Sequence, residues 1–106
     1  MRSDYHAIRL GGYLGIERYP EFVEAFQGSL AAVAVLVDLR DGTGADSLFL
    51  SELLLFKRRH PQPLAVLIPP AGNLARIFFV AGMGEKMNVF SVLEDALRAL
   101  GVPAPE

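Results

Sequence analysis

Two short apolar runs constrain the fold of this chain more strongly than any other feature of its sequence. They are VAVLV at residues 33–37 and LAVLI at residues 64–68. A continuous apolar run of strand length, rich in β-branched residues, is typical of a strand buried on both faces. Because residues 48–59 between them have apolar residues at helical spacing, the pattern predicts a right-handed βαβ unit and an at least partly parallel sheet.

The N-terminal third adds a strand and a helix to this unit. Apolar and polar residues alternate at residues 6–10, which predicts a short, half-buried strand that bends at Gly11 and Gly12. A helix is predicted from Pro20, because proline is favoured in a first helical turn and the apolar residues that follow have helical spacing. These apolar residues are Phe22, Val23, Phe26 and Leu30.

The C-terminal third adds two helices and a strand. Residues 74–80 predict a short apolar helix, and residues 87–90 predict the last strand. Residues 91–94, SVLE, match a capping box, in which the serine hydroxyl accepts a hydrogen bond from a first-turn amide. A final helix is therefore expected from this point, and Gly101 and Pro103 predict its end.

These elements predict a single α/β domain at residues 1–106, with a core at about residues 6–100 and a short tail at 101–106. No apolar run has the length of a membrane-spanning helix, and the N-terminus does not read as a signal peptide. We therefore expect a cytoplasmic protein with no membrane insertion.

The overall composition argues against several classes of function. Ten basic and twelve acidic residues give a net charge of -2, so we expect no nucleic-acid partner. The absence of cysteine excludes disulfides, thiolate catalysis and cysteine-ligated metal centres. His6 and His60 have no partner at metal-ligand or catalytic spacing, and no nucleophile is paired with a base. We expect no enzymatic activity, no metal site and no cofactor.

The segment DGTGADS, residues 41–47, joins a buried strand to a helix, an arrangement in which many proteins bind phosphate. It lacks the lysine of a P-loop and the spacing of GxGxxG, so it predicts a flexible turn rather than a nucleotide loop. Asp38, Asp41 and Asp46 cluster near the end of the preceding strand. Together they could hold Mg²⁺, although aspartate is more common as a turn or cap residue.

The helix predicted at residues 48–59 has one clearly apolar face. Phe49, Leu53 and Phe56 lie at the centre of this face, with Leu50 and Leu54 on either side. This face is expected to pack on the core.

Leu48 and Leu55 fall on a different side of this helix, where a surface helix is normally polar. Their neighbours on that side are Ser51, Glu52, Arg58 and Arg59. Two leucines among charged residues favour a docking patch for another protein. The alternatives are a neighbouring loop that covers them or two scattered exposed apolar residues, and the sequence does not decide among the three.

Ser47 occupies the predicted start of the same helix. Either Ser47 or Asp46 is expected to be its N-cap and to accept a hydrogen bond from a first-turn amide. A phosphoryl group on Ser47 would also face unpaired amides and the positive end of the helix dipole, so Ser47 is a candidate phosphorylation site. The position of the serine alone does not separate a cap from a switch.

The order of the elements, with residues 37–39 (VDL) closing a buried strand and residues 46–47 (DS) opening the next helix, resembles the STAS domain of bacterial anti-sigma-factor antagonists. The similarity covers about residues 6–100. Residues 74–83 are similar to that family's third helix with its closing glycine, and residues 90–97 are similar to its last strand end and final helix.

The resemblance implies a STAS-like α/β fold, with a mixed β-sheet of four to five strands and about four helices packed mainly on one side. It also implies a non-enzymatic regulator of transcription in the stress response that acts by partner switching. In such systems the antagonist binds a kinase-type anti-sigma factor and frees a sigma factor, until the kinase phosphorylates a serine or threonine at the start of the second helix. The implied partner is a kinase-type anti-sigma factor or another regulatory protein.

On this family pattern Ser47 is the candidate phosphorylation site. The implied partner-binding surface consists of Thr43, Asp46, Ser47, Leu48, Ser51 and Leu55. Many antagonists read Asp-Ser-Ser-Gly-Leu and are phosphorylated on the second serine, whereas this chain has Leu48 there. The chain is instead similar to the Asp-Ser-apolar variant of stressosome scaffold proteins, in which the serine directly after the aspartate is the acceptor. Residues 12–15 (GYLG) stand where the family's Gly-Glu-Leu-Asp motif is common, without its aspartate.

Two alternatives stay open at this point. The chain could be a non-phosphorylated STAS subunit of a transporter, such as a lipid-transport complex, or of an assembly scaffold. It could also be a small-ligand or nucleotide-binding domain that uses Asp38, Gly42, Gly44 and Asp46 at the strand ends. The sequence also leaves open whether the chain forms a homodimer.

Overall fold

Four parallel strands form the main sheet in the computed structural model, which describes residues 5–29 and 34–102. They are β1 His6–Arg9, β3 Val35–Asp38, β5 Leu64–Leu67 and β6 Val89–Phe90, and they lie in the order β1-β3-β5-β6. The two apolar runs form the two central strands, and every residue of β3 and β5 is buried. The buried parallel strands predicted from the sequence are thus confirmed, while the predicted positions Leu30, Val33 and Pro103 lie outside the described residues.

A second, two-stranded sheet continues the β1–β3 pair beyond a bend. Its strands are β2 Gly12–Leu14, which follows β1, and β4 Gly42–Ala45, which follows β3. They pair in parallel, with an irregular register between Gly12 and Tyr13. Gly12 lies at the predicted bend and has a φ of 72°, in the left-handed region that favours glycine. Each strand pair in the described ranges is parallel, so the antiparallel pairs that a mixed sheet would add are not seen there.

Five helices and a 3₁₀ turn at Ile16–Arg18 complete the described part of the chain. The helices are α1 Tyr19–Gln27, α2 Ser47–Arg59, α3 Asn73–Val80, α4 Met83–Lys86 and α5 Leu93–Ala99. The single turn α4 was not predicted. Helices α1 to α4 pack on one face of the sheet and α5 on the other, so the α/β class with helices mainly on one side is confirmed. Among the described residues, no helix has both the length and the apolar character needed to cross a bilayer.

The main core lies between the sheet and helices α1 to α4. Aromatic rings join the first two helices, because Phe22 meets Phe49 edge to face and Phe26 stacks on Phe56, both with ring centroids 4.8 Å apart. The predicted core face of α2 is confirmed. It consists of Phe49, Leu53 and Phe56, with the partly buried Leu50 and Leu54 packed beside it.

The flexible turn predicted at residues 41–47 is wrong, because residues 42–45 form strand β4. Gly42 and Gly44 do not have positive φ values. They are required by close packing instead, since a Cβ on Gly42 would lie 2.7 Å from Leu74 Cδ2 and one on Gly44 would lie 2.8 Å from Asn73 Nδ2. The two glycines therefore allow β4 to lie directly against the start of α3.

The capping box predicted for α5 is also wrong. The N-cap is Val92, whose carbonyl oxygen accepts hydrogen bonds from the amides of Asp95 and Ala96, and no side chain caps this helix. Because the helix begins one residue later than the box requires, Ser91 is not its N-cap. The predicted end of the helix is confirmed, since Gly101 follows it with a φ of 77°.

Gly42→Ala is expected to destabilise the fold by about 1–3 kcal/mol, because the added methyl group would press on the buried Leu74 side chain and on the Leu39 carbonyl oxygen. Gly84→Ala is the matched control, since Gly84 is exposed in α4 and an added Cβ would have no contact within 4 Å. Urea unfolding of the wild type and both variants measures the difference. An unchanged midpoint for Gly42→Ala would show that β4 does not pack closely against α3.

Candidate functional site

The start of α2 is held by the carboxylate of Asp46, which lies between β4 and the helix. Its Oδ1 accepts a hydrogen bond from the Phe49 amide at 3.1 Å and caps the helix. Its Oδ2 accepts a hydrogen bond from the Ile16 amide at 2.9 Å. A single side chain therefore joins the start of α2 to the segment that follows β2.

Ser47 is the first residue of α2 and is exposed. The sequence left the capping role open between Ser47 and Asp46, and the structure assigns it to Asp46. The Ser47 hydroxyl is therefore not needed to hold the helix start. It lies at the end of the helix where unpaired amides and the macrodipole favour a negative group.

Two exposed apolar side chains lie beside this helix start. Tyr13 is 55% exposed and pairs with Gly44 across β2 and β4. Ile16 is 65% exposed and is linked to Asp46 through its amide. Large apolar side chains left exposed together are typical of a protein-binding surface. The sequence predicts neither of them, because their placement depends on the pairing of β2 with β4, for which there is no local sequence signal.

Helix α3 reaches the same part of the molecule. Asn73, the first residue of α3, donates a hydrogen bond from Nδ2 to the Thr43 carbonyl oxygen at 3.1 Å. Both Thr43 and Asn73 are exposed. Of the predicted partner-binding residues, the structure thus brings Thr43, Asp46 and Ser47 to one surface, and it adds Asn73, which the sequence analysis did not include.

Leu48 and Leu55 are both half-buried rather than fully exposed. Leu55 lines a cavity of about 350 Å³ between α1 and α2, beside Tyr19 and Val23. Leu48 is two helical turns away, about 10 Å along the helix axis, and does not line this cavity. The two leucines predicted as one docking patch therefore have different surroundings. Ser51 is exposed one turn after Ser47.

Asp38 is the last residue of β3 and is only 8% exposed. Its carboxylate accepts hydrogen bonds from Arg40 Nε at 3.0 Å, Arg40 Nη2 at 2.8 Å and the Arg40 amide at 3.1 Å. Arg9 Nε lies 3.9 Å from Asp38 Oδ2. The side-chain hydrogen bond from Arg40 lowers the pKa of Asp38 below its ordinary value, against the opposing effect of burial. Asp38 is thus an ion-paired structural residue.

These contacts argue against the magnesium and nucleotide alternatives. Asp38 is paired with Arg40, and both Asp46 oxygens already accept amide hydrogen bonds. Residues 42–45 form a paired strand rather than an open loop. Within residues 5–29 and 34–102, no group of three histidine, aspartate or glutamate side chains is placed to hold a metal ion.

The chain matches none of the protein-family models and none of the curated proteins with which it was compared. Its function is therefore inferred from the residues at the start of α2 and their surroundings.

Asp46→Ala is expected to destabilise the fold by about 1–3 kcal/mol, because it removes the helix cap and leaves the Ile16 amide without this acceptor. Ser47→Ala is the matched control at the next position and should change the free energy of unfolding by less than about 0.5 kcal/mol. Urea unfolding measures both. Equal destabilisation by the two substitutions would mean that Ser47 shares the capping role.

Asp38→Asn is expected to lower the free energy of unfolding by about 1–3 kcal/mol at neutral pH, because the charge-assisted hydrogen bonds with Arg40 are lost. The folded state holds the Asp38 pKa below the unfolded value of about 4, so this contribution is complete above that pH and is lost as the pH falls through the folded pKa. The two proteins should therefore converge in stability in acid. Urea unfolding across a pH series measures this, and a gap that stays constant down to about pH 2 would contradict it.

Proposed function

We propose that this chain is a non-enzymatic protein-interaction module that regulates transcription in the stress response by partner switching, as STAS domains of anti-sigma-factor antagonists do. It acts in the cytoplasm, needs no cofactor and binds a kinase-type anti-sigma factor or another regulatory protein. Its switch is phosphorylation of Ser47.

The observation that carries this proposal is the division of roles between two adjacent residues. Asp46 caps α2 and anchors Ile16, while Ser47 is exposed at the first position of the helix. A serine that serves only as a cap would use its hydroxyl for a first-turn amide. Here a kinase could modify the hydroxyl while the cap stays in place, as a reversible switch requires.

The surroundings of Ser47 explain how one phosphoryl group would end an interaction. Tyr13 and Ile16 present apolar surface beside it, which suits a partner that packs closely and excludes water. Phosphorylation would add nearly two negative charges and their hydration shell to that surface. The amides at the helix start would stabilise the phosphate on this chain, so the modification weakens the complex without unfolding the module.

A second candidate function is a constitutive subunit of a transporter or scaffold complex. It is favoured by the exposure of Tyr13 and Ile16, because an apolar surface supports a stable complex without any modification. This function predicts that Ile16→Asp, which keeps the amide bonded to Asp46, abolishes the complex, whereas a charge at position 47 has no effect.

Phosphorylation of Ser47 can be tested with a purified GHKL-type serine kinase from the source organism, with ATP and magnesium. Intact-mass spectrometry should show one added phosphoryl group on the wild type and none on Ser47→Ala. Ser51→Ala is the matched control, because Ser51 is an exposed serine one turn further along α2 and its loss should leave the modification unchanged.

Binding to the same kinase is then measured by calorimetry. Ser47→Glu should weaken binding by about tenfold or more, because it places a charge in the apolar contact, whereas Ser47→Ala should bind like the wild type. Modification at a different residue, or equal affinity of Ser47→Glu and wild type, would reject the switch. In the second case, loss of binding by Ile16→Asp would support the constitutive subunit.

A further inference from the structure

The outer edge of β1 has backbone groups that no described strand pairs with. β1 is the first strand in the sheet order β1-β3-β5-β6. On its inner side, the His6 amide donates to the Ala34 carbonyl at 2.8 Å and the Leu10 amide to the Asp38 carbonyl at 3.2 Å. Because successive residues of a strand point their backbone groups to opposite sides, the N–H and C=O groups of Ala7 and Arg9 face away from β3.

A groove runs along this edge. It has a volume of about 370 Å³ and is lined on one side by all of β1 and on the other by Glu21, Glu24 and Ala25 of α1. An edge strand that faces a helix across a gap is the geometry in which an extended peptide can add itself to a sheet. The backbone of the edge strand then supplies affinity, and the flanking side chains select the sequence.

The helix wall of the groove is acidic. Glu21 and Glu24 are both exposed. Both oxygens of Glu21 accept hydrogen bonds from Arg18 at 2.9 Å, which lowers the pKa of Glu21 and keeps it ionised but also partly neutralises its charge. A second copy of this chain, paired through β1 on a two-fold axis, would bring its own Glu21 and Glu24 to the same face of the joined sheet. Such like charges oppose self-pairing and favour a ligand of positive charge.

The side of β1 that faces away from α1 favours different residues in an added strand. Ala7 leaves room for a neighbouring side chain, while the Arg9 side chain is 80% exposed and adds a positive charge there. A basic residue is therefore favoured on the side of α1 and disfavoured on the side of Arg9. This asymmetry repeats every second residue of an added strand.

We propose that the outer edge of β1 binds an extended segment of another protein, with lysine or arginine at the alternate positions that face α1. The backbone groups of Ala7 and Arg9 pair with this segment, and Glu24 and Glu21 recognise its basic side chains. The groove along β1 shares no residue with the surface around Ser47, which consists of Tyr13, Ile16, Thr43, Asp46, Ser47 and Asn73. It therefore provides a second interaction that does not depend on phosphorylation.

The probe is a fluorescein-labelled peptide, Thr-Lys-Val-Lys-Val-Lys-Thr, and binding is followed by fluorescence anisotropy. Ala7→Pro should weaken binding by about tenfold or more, because it removes an outward N–H group but none of the hydrogen bonds to β3. Ala7→Val keeps the N–H group and should retain more affinity than Ala7→Pro, which separates the loss of the N–H group from the change of side chain at this position. Circular dichroism checks that both variants are folded.

Charge and backbone pairing are also tested without any change to β1. Glu24→Lys should weaken binding about tenfold, whereas Glu17→Lys, an equal charge change outside the groove, should have little effect. A peptide with N-methyl groups on alternate amides should lose affinity on unaltered protein. A peptide with glutamate in place of lysine should not bind.

Three results would overturn the proposal. They are no binding of the lysine peptide at about 1 mM, equal binding of the lysine and glutamate peptides, and full affinity in both Ala7→Pro and Glu24→Lys. A fourth result that would overturn the proposal comes from analytical ultracentrifugation. If the wild type forms a dimer that the Ala7→Pro substitution dissociates, a second copy of the chain occupies this edge.

Discussion

The carboxylate of Asp46 is the interaction on which the arrangement around Ser47 depends. Its two oxygens hold the amides of Phe49 and Ile16, which belong to separate elements of the chain. Each backbone amide is a hydrogen-bond donor that needs an acceptor, and one side chain here satisfies two of them. Because Phe49 is also fully buried against Phe22, the same contact connects the helix start to the packing of α1 on α2. Exposed Ile16 is thus tied through its amide to Asp46, the residue directly before exposed Ser47.

The elements that bury most apolar surface could be predicted from the sequence. The elements whose conformation depends on close packing against a neighbouring element could not. The strands β3 and β5 and the core face of α2 show in the local spacing of apolar residues. The strand β4 has the sequence GTGA, which has the composition of a turn. Its conformation depends on pairing with β2 and on the space that Gly42 and Gly44 leave for the side chains of α3. The local sequence cannot distinguish a glycine that is needed for a positive φ angle from a glycine that is needed because a Cβ atom would clash with a neighbouring element.

The start of α2 was predicted in its position, but the residue that caps it and the side chains around it were not. Asp46 and Ser47 both have side chains that can cap a helix, so only the backbone geometry decides between them. Tyr13 was missed because its exposure follows from the β2–β4 pair. Leu48 and Leu55 were predicted to form one patch because helical spacing describes one helix by itself and cannot show that Leu55 faces a cavity beside α1.

Arg18 lies between the surface around Ser47 and the groove along β1. Its guanidinium group donates hydrogen bonds to the carbonyl oxygens of Gly11 and Tyr13, and it pairs with Glu21 at 2.9 Å. On one side it holds the bend before β2, and on the other it partly neutralises a carboxylate of the groove. A basic side chain bound in the groove would compete with Arg18 for Glu21, but not for the carbonyl oxygens of Gly11 and Tyr13. The two contacts of Arg18 with the chain around β2 do not involve Glu21, so the two proposed surfaces depend on different hydrogen bonds of the same guanidinium group.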